Sequence, residues 1–360
     1  MQEKLRELLN IPPYCLEEEE KKCLFEDDLK GLTQYHYQCC DEYKYILDVL
    51  GIDPKEKYSL EEMPMLPVRL FKEYELRSVP EEKIVKTMTS SGTSGQEVSK
   101  IFLDSENVRI QTQVLAHIMS SYLGKNRLPM LILDTPMVKK DRSMFSARGA
   151  GIIGFSVFGR KPVYALDENM QLNVEVLQQF AEEHKGHKIL LFGYTYMIWK
   201  FVVVALKKKG ISLNLEDGIL FHVGGWKKLQ NEAVDTIGFN QVIRDTMGNV
   251  QVYNYYGMAE QLGSIYVECE EGHLHCSNFS DIIIRRSRDF SVAGIGEKGL
   301  IELLSLLPCS YPGHILLTED EGEILGIDDC PCGRKGKYFK IHGRIKKAEV
   351  RGCSDTFERK

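Results

Sequence analysis

The chain has 360 residues, 43% of them hydrophobic and 27% charged, with 46 basic against 52 acidic side chains and a formal net charge of −6. That length can bury a large core and predicts two subdomains, or one large α/β unit with an accessory part. The charge balance excludes a nucleic-acid footprint, and Glu3, Lys4 and Arg6 stand where a signal peptide needs an apolar run, so a cytoplasmic protein is expected.

Residues 1 to about 80 place charged and apolar positions at helical spacing. The run Asp41 to Leu50 is an example, with a stop at Gly51. Pro64 and Pro67 then punctuate the passage into Lys83–Met88, which reads as a strand returning through Ile101-Phe102-Leu103. Between them lie Thr89, Ser90, Ser91, Gly92, Thr93, Ser94 and Gly95, closed by Lys100. Small hydroxylated residues and glycines suit a loop that wraps phosphate, because the backbone approaches an anion closely and N–H and hydroxyl groups supply donors. This is not the Walker pattern, and a Ser/Gly surface turn would look the same in isolation.

A helix is expected over Asn107–Leu123 and a buried strand over Leu128–Asp134. The glycine-rich Gly149–Phe155 reads either as a close-packed helix start or as a substrate-lining wall. Arg148 before it reads either as a phosphate contact or as a surface salt bridge. Helix Val174–Glu183, strand Lys188–Phe192, helix Met197–Lys208 and strand Gly218–Val223 continue an α/β alternation. The most apolar window, 189–206, is interrupted by Lys200 and so argues against a membrane span. Lys207, Lys208 and Lys209 read as the solvated end of a helix. After Gly263 the pattern becomes short alternating strands such as Asp281–Arg285 and Gly299–Leu304, which suits a β-rich, mostly antiparallel subdomain.

Ten cysteines in a long chain without an export signal point to metal binding, catalysis or burial rather than disulfides. Cys15, Cys23, Cys39 and Cys40 fall in the N-terminal helical part, and six more, including Cys309, fall later. Cys269 and His275, followed by Cys330 and Cys332, form two close pairs of N/S donors, as a tetrahedral structural zinc requires. His273 and Cys276 compete as ligands. In an extended segment His273 and His275 share one face and Cys276 takes the other.

Three ordered segments change the weight of the loop. The Thr89–Gly95 loop, Tyr255-Tyr256-Gly257-Met258-Ala259-Glu260 and His342-Gly343-Arg344-Ile345-Lys346-Lys347 together resemble the signatures of adenylate-forming enzymes. Within that superfamily Leu191–Tyr196, His222–Lys227 and Arg351-Gly352-Cys353 resemble the acyl-protein synthetases of bacterial luciferase operons, also called long-chain-fatty-acid luciferin-component ligases, relatives of the phenylacetate-CoA ligases. The resemblance spans about Leu60 to Cys353. It implies the N-terminal-domain-like α/β fold of adenylate-forming enzymes, divided into a helical region (1–80), an α/β nucleotide- and acyl-binding core (81–263), a β-rich subdomain (264–341) and a truncated hinge and tail (342–360).

The implied activity is ATP-dependent formation of acyl-AMP from a fatty or aryl acid, followed by transfer to a protein cysteine. An AMP-forming acyl-CoA or aryl-CoA ligase and a non-catalytic nucleotide-binding subunit are the alternatives. The resemblance implies that the loop and Lys100 hold phosphate, that Glu260 binds Mg²⁺ and that Asp320 and Arg344 hold ribose and hinge. Gly224, Gly225, Tyr255 and Tyr256 would enclose adenine beside Gly257, and Cys353 would carry the acyl group toward an acyl reductase or acyl-carrier partner. Phe155, Phe158 and Trp226 are candidates for the acyl wall. Only sixteen residues follow Arg344, too few for the usual lid with its lysine; Lys100, Lys346 and Lys347 are the candidates to replace it.

Overall fold

A computed structural model describes residues 2–90, 98–140, 147–226 and 232–345. In chain order the strands are β1 (Leu66–Pro67), β2 (Ile84–Thr89), β3 (Lys100–Asp104), β4 (Leu128–Ile132), β5 (Gly159–Tyr164), β6 (Ile189–Tyr194), β7 (Gly218–Val223), β8 (Gln251–Tyr256), β9 (Tyr266–Glu268), β10 (Leu274–His275), β11 (Ser280–Arg285), β12 (Gly299–Ser305), β13 (Ile315–Ile327) and β14 (Lys337–Arg344). The chain divides into two compact units, one built from residues up to Ser121 and from Gly257 onward, the other containing Tyr122–Tyr256. The α/β class is as the sequence implies.

In the first unit β11, β12, β13, β14, β10 and β9 lie side by side in that order, all antiparallel, and β1 adds parallel to β13. β2 and β3 form a separate antiparallel hairpin in which Thr89 faces Lys100. Helix Glu18–Cys39 begins with three glutamates, which favour the positive end of its dipole, and buries Phe25, Leu29, Leu32 and His36 at spacings of three and four. Helix Asp41–Leu50 stops where Gly51 takes φ 68°, a left-handed turn that glycine adopts without strain. A buried charge cluster ties the long helix to the sheet. Lys337 Nζ lies 3.0 Å from Asp281 and 2.9 Å from Glu18, with Lys21 3.5 Å from Asp281. Burial works against the ionised Asp281, yet the two lysines hold its carboxyl below the usual range.

A second buried polar group predicts acid sensitivity. His36 and His314 stack at 4.9 Å, both fully enclosed. His36 Nε2–H donates to the Pro308 carbonyl at 3.1 Å, leaving Nδ1 to accept from Ser78 Oγ at 2.7 Å. Thr33 Oγ1 donates to the Leu29 carbonyl, so it accepts from His314 Nε2–H at 2.9 Å. Neither ring is placed to hold a second proton. Burial lowers His36 to about 3 and His314 well below its ordinary value. The unfolded chain therefore binds more protons below about pH 6.5, and stability complete above that pH should fall by up to ~1.4 kcal/mol per pH unit per histidine as pH drops toward about 3. Urea midpoints at pH 7 and pH 5 test this, and His314→Gln should flatten the slope.

In the second unit β8, β7, β6, β4 and β5 are adjacent in that order and entirely parallel. β4, β6 and β7 are buried along nearly their whole length, as near-continuous apolar runs require between covering helices. Strand Gly218–Val223 and helix Val174–Glu183 coincide with expectation, and Gly149–Phe155 resolves as part of helix Ala147–Phe155. The expected helix 197–208 is present but widens to a π-helical turn over Ile198–Val203. Lys207–Lys209 end it exposed, beside its negative dipole end.

Candidate active site

The neck of the hydroxyl-rich loop is drawn tight. Ser90 N donates to the Ser99 carbonyl at 3.1 Å, and Ser99 N donates back to Ser90 Oγ at 3.0 Å. Ser91, Gly92, Thr93, Ser94 and Gly95 lie outside the described residues, as do Lys346, Lys347 and Cys353. Thr89 and Lys100 close the hairpin at the loop's two ends. The Lys100 ammonium turns outward to Glu75 Oε1 at 3.0 Å, both side chains about half exposed.

Glu260 sits on the turn Ala259–Gln261, only 6% exposed. The adjacent Gln261 anchors that turn by donating through Nε2 to the Gly313 carbonyl at 2.9 Å and the Leu303 carbonyl at 3.2 Å. Burial pushes the Glu260 carboxyl above the usual range, while Ser99, Lys72 and Arg344 pull it back toward the ionised form. The structure therefore gathers the loop neck, a buried carboxylate and two cations in one unit. Lys72 has no signature of its own in the sequence.

Asp320 and Arg344 face each other in the register of β13 and β14, with Arg344 Nε 3.5 Å from Asp320 Oδ1. Thr318 fixes the approach to Asp320, donating to the Ile301 carbonyl at 2.8 Å and accepting from Asp320 N at 3.2 Å. Gly257 lies at the start of the turn that carries Glu260.

The remaining nucleotide candidates belong to the second unit. Gly224 takes φ 86°, so the chain leaves β7 through a bend that other residues adopt only with strain, and Gly225 has open space where a side chain would stand. Both are exposed. Tyr255 stacks on Phe155 at 5.1 Å, and Tyr256, its neighbour in an extended strand, takes the opposite face. Phe155 stacks in turn on Phe192 at 4.2 Å, and Trp226 meets Trp199 edge-on. Arg148 differs from both sequence expectations. It is 1% exposed and paired with Asp134, Nε to Oδ2 at 3.1 Å, because the helix after β4 folds it back over the strand end. Burial raises the Asp134 carboxyl to about 6 even with Arg148 beside it.

The donor cluster assembles in the first unit. Cys269 and His275 flank the β9–β10 hairpin, which turns at Gly272, and Cys330 and Cys332 come from the loop between β13 and β14. Their donor atoms all lie within 4.8 Å of one another. Cys269 Sγ is 3.9 Å from Cys330 Sγ, and His275 Nε2 is 3.4 Å from Cys332 Sγ. A tetrahedral zinc with bonds of about 2.3 Å to sulfur and about 2.0 Å to nitrogen would hold sulfurs about 3.8 Å apart and sulfur and nitrogen about 3.5 Å apart. The cluster has those edges.

His273 Nδ1 approaches Cys330 Sγ at 3.4 Å, and both histidine rings stack on Tyr338. Cys276 is fully buried and lies instead among the Lys21, Asp281 and Lys337 charges. Burial brings His275 to about 3, so the imidazole is neutral and free to donate its lone pair, and lifts Cys330 to about 12. Burial acts on Cys332 too, but Arg334 outweighs it and lowers that thiol. All nine described cysteines are free thiols. No described helix is long and apolar enough to cross a membrane.

Fold and site together define an adenylate-forming ligase. A solved 2-hydroxyisobutyryl-CoA ligase, in complex with 2-HIB-AMP and CoA, shares the fold with a TM-score of 0.70 at 17% identity, over 92% of this chain and 71% of that one. The family model described as acyl-protein synthetase, LuxE, matches residues 3–360, and the chain belongs to that family. Among its relatives is the long-chain-fatty-acid–luciferin-component ligase of Vibrio harveyi, 22% identical over 93% of this chain and 88% of that protein. Another is the phenylacetate-coenzyme A ligase of Thermus thermophilus, 24% identical over 89% and 69%.

Proposed function

We propose that the protein joins a fatty acid to AMP at the expense of ATP and passes the acyl group to the thiol of its own Cys353, from which an acyl reductase or carrier partner takes it. The observation that carries the reading is the meeting of the Ser90/Ser99 loop neck with buried Glu260 in a chain of the acyl-protein synthetase family. Thr89 to Gly95 would cradle the β- and γ-phosphates, with Lys100 adding charge at the loop's end. Glu260 offers the hard carboxylate oxygen that Mg²⁺ prefers, and that ion would neutralise phosphate charge. Asp320 accepts from ribose hydroxyls and Arg344 steadies it; Gly224, Gly225, Tyr255, Tyr256 and Gly257 serve the adenine. Cys269, His275, Cys330 and Cys332 hold structural zinc.

In the second half-reaction the Cys353 thiolate attacks the acyl-AMP carbonyl, the carbon–oxygen bond to AMP breaks, and a thioester remains. The covalent step divides one transfer into two easier ones. Arg351 lies two residues away in sequence, and a nearby cation favours the thiolate. An acyl-CoA ligase is the second reading, favoured by the CoA ligases among the relatives.

Acid-dependent ATP–pyrophosphate exchange over a series of chain lengths tests the first half. Labelled acid then separates the acceptors: protein label is expected with ATP, removed by neutral hydroxylamine and absent in Cys353→Ser. Label that survives hydroxylamine, or persists in Cys353→Ser, eliminates the relay; CoA-dependent AMP release without protein label establishes the CoA ligase.

A further inference from the structure

The charge that adenylation requires is near Glu260, on a segment with no signature of its own. The short helix Leu70–Glu73 is fastened beside β13: Leu66 pairs with Leu316, and Val68 N donates to the Leu317 carbonyl at 2.9 Å. Phe71 is 1% exposed and meets the Tyr311 ring edge-on at 6.1 Å. The Tyr311 ring covers Gly313, where a side chain would also lie 2.7 Å from the Glu260 carbonyl. Phe71, Tyr311 and Leu316 share one apolar cluster, and Met258 and Leu262, each two residues from Glu260, pack against it. Lys72 follows Phe71 directly, and its charge, like that of Arg344, favours the ionised carboxylate of Glu260. The cluster thus holds the backbones of Lys72 and Glu260 close together.

We propose that Lys72 supplies the ammonium that meets the transferring phosphate beside Glu260, the task for which typical adenylate-forming enzymes use a lysine of a mobile lid. This rests on the function proposed above. In the step concerned, a carboxylate oxygen of the acid attacks the α-phosphorus, the bond from that phosphorus to the bridging oxygen breaks, and its electron pair leaves with pyrophosphate. No proton or oxidant is consumed. Negative charge accumulates on the leaving oxygens, and a fixed cation in a partly dehydrated site stabilises it without reorganisation at the moment of reaction. Lys100 is less suited: its ammonium is committed at the surface to Glu75. Lys72, by contrast, stands on a segment anchored by a buried aromatic ring.

The test separates the half-reactions. Lys72→Gln should lower acid-dependent ATP–pyrophosphate exchange by about 100-fold or more, Lys72→Arg should restore it to within about 10-fold of the wild type, and Lys100→Ala should lose less than about 10-fold. Given chemically synthesised acyl-AMP, Lys72→Gln should form acyl-protein at the wild-type rate, since that step has no pyrophosphate to expel. If the wild type exchanges while Lys72→Gln stays within about 3-fold of it, the lysine assignment is overturned and the function stands. Parallel loss of both half-reactions together with the melting temperature makes Lys72 structural and also overturns the assignment. A wild type without acid-dependent exchange overturns the proposed function and this inference with it.

Discussion

Glu260→Gln should reduce acid-dependent ATP–pyrophosphate exchange by about 100- to 1000-fold without lowering the melting temperature. The two halves of that expectation have one cause. Glu260 is almost wholly enclosed, and burial raises its carboxyl above the ordinary range. A raised carboxyl means that the folded state favours the protonated form, so ionisation at neutral pH costs stability. Glutamine keeps the shape and removes that cost. The same substitution removes a hard metal-binding oxygen and the negative partner of Lys72 and Arg344, which function requires and folding does not. Gain in stability with loss of activity is the pattern of a site residue. A variant that melts earlier but exchanges normally would show that Glu260 braces the turn at Gln261 and does no chemistry. Binding of Mg²⁺-ATP, followed by calorimetry, should weaken more than binding of ATP alone.

Much of this was legible because the signals are local. The loop between β2 and β3 declares itself through composition, and the strand 218–223 and helix 174–183 follow from periodicity confined to a few residues. The donor cluster was legible for a related reason: each half comes from one turn, so only the meeting of the two turns had to be supplied by the fold. What stayed hidden depends on distant pairing. Lys72 reads as one more surface charge until Phe71 is seated on Tyr311. Arg148 reads as exposed until helix 147–155 presses it on Asp134. His36 and His314 carry no pattern at all, being brought into contact only by the packing of helix 18–39. The π-helical turn is missed because the apolar spacing of Ile198, Val202 and Val203 suits an α-helix equally well.

Removing the metal should unfasten the β13–β14 hairpin from its closed end. Protein purified without added metal should contain about one zinc per chain, and Cys332→Ser less than about one-tenth. Binding free energies of about 10–16 kcal/mol for structural zinc in small peptides make the ion comparable to the whole stability of a domain, so the variant should lose several kcal/mol locally. The loss should be greatest where the cluster is attached. Cys330 and Cys332 lie just past Ile327, which pairs with Lys337, and Tyr338 forms the floor under both histidines. Amides of residues 324–327 and 337–339 should therefore exchange faster in the variant, while those of β4, β6 and β7 in the other unit stay protected. Asp320 and Arg344 pair at the far end of the same hairpin, seven residues along each strand, so a loosened turn should also weaken ATP binding, by about 10-fold or less. Cys276→Ser is the control: that thiol faces the buried charges instead of the cluster and should leave zinc content unchanged. Absence of zinc from the wild type, with no effect of a strong chelator on its melting, would leave four neighbouring thiol and imidazole groups holding the turns by packing alone.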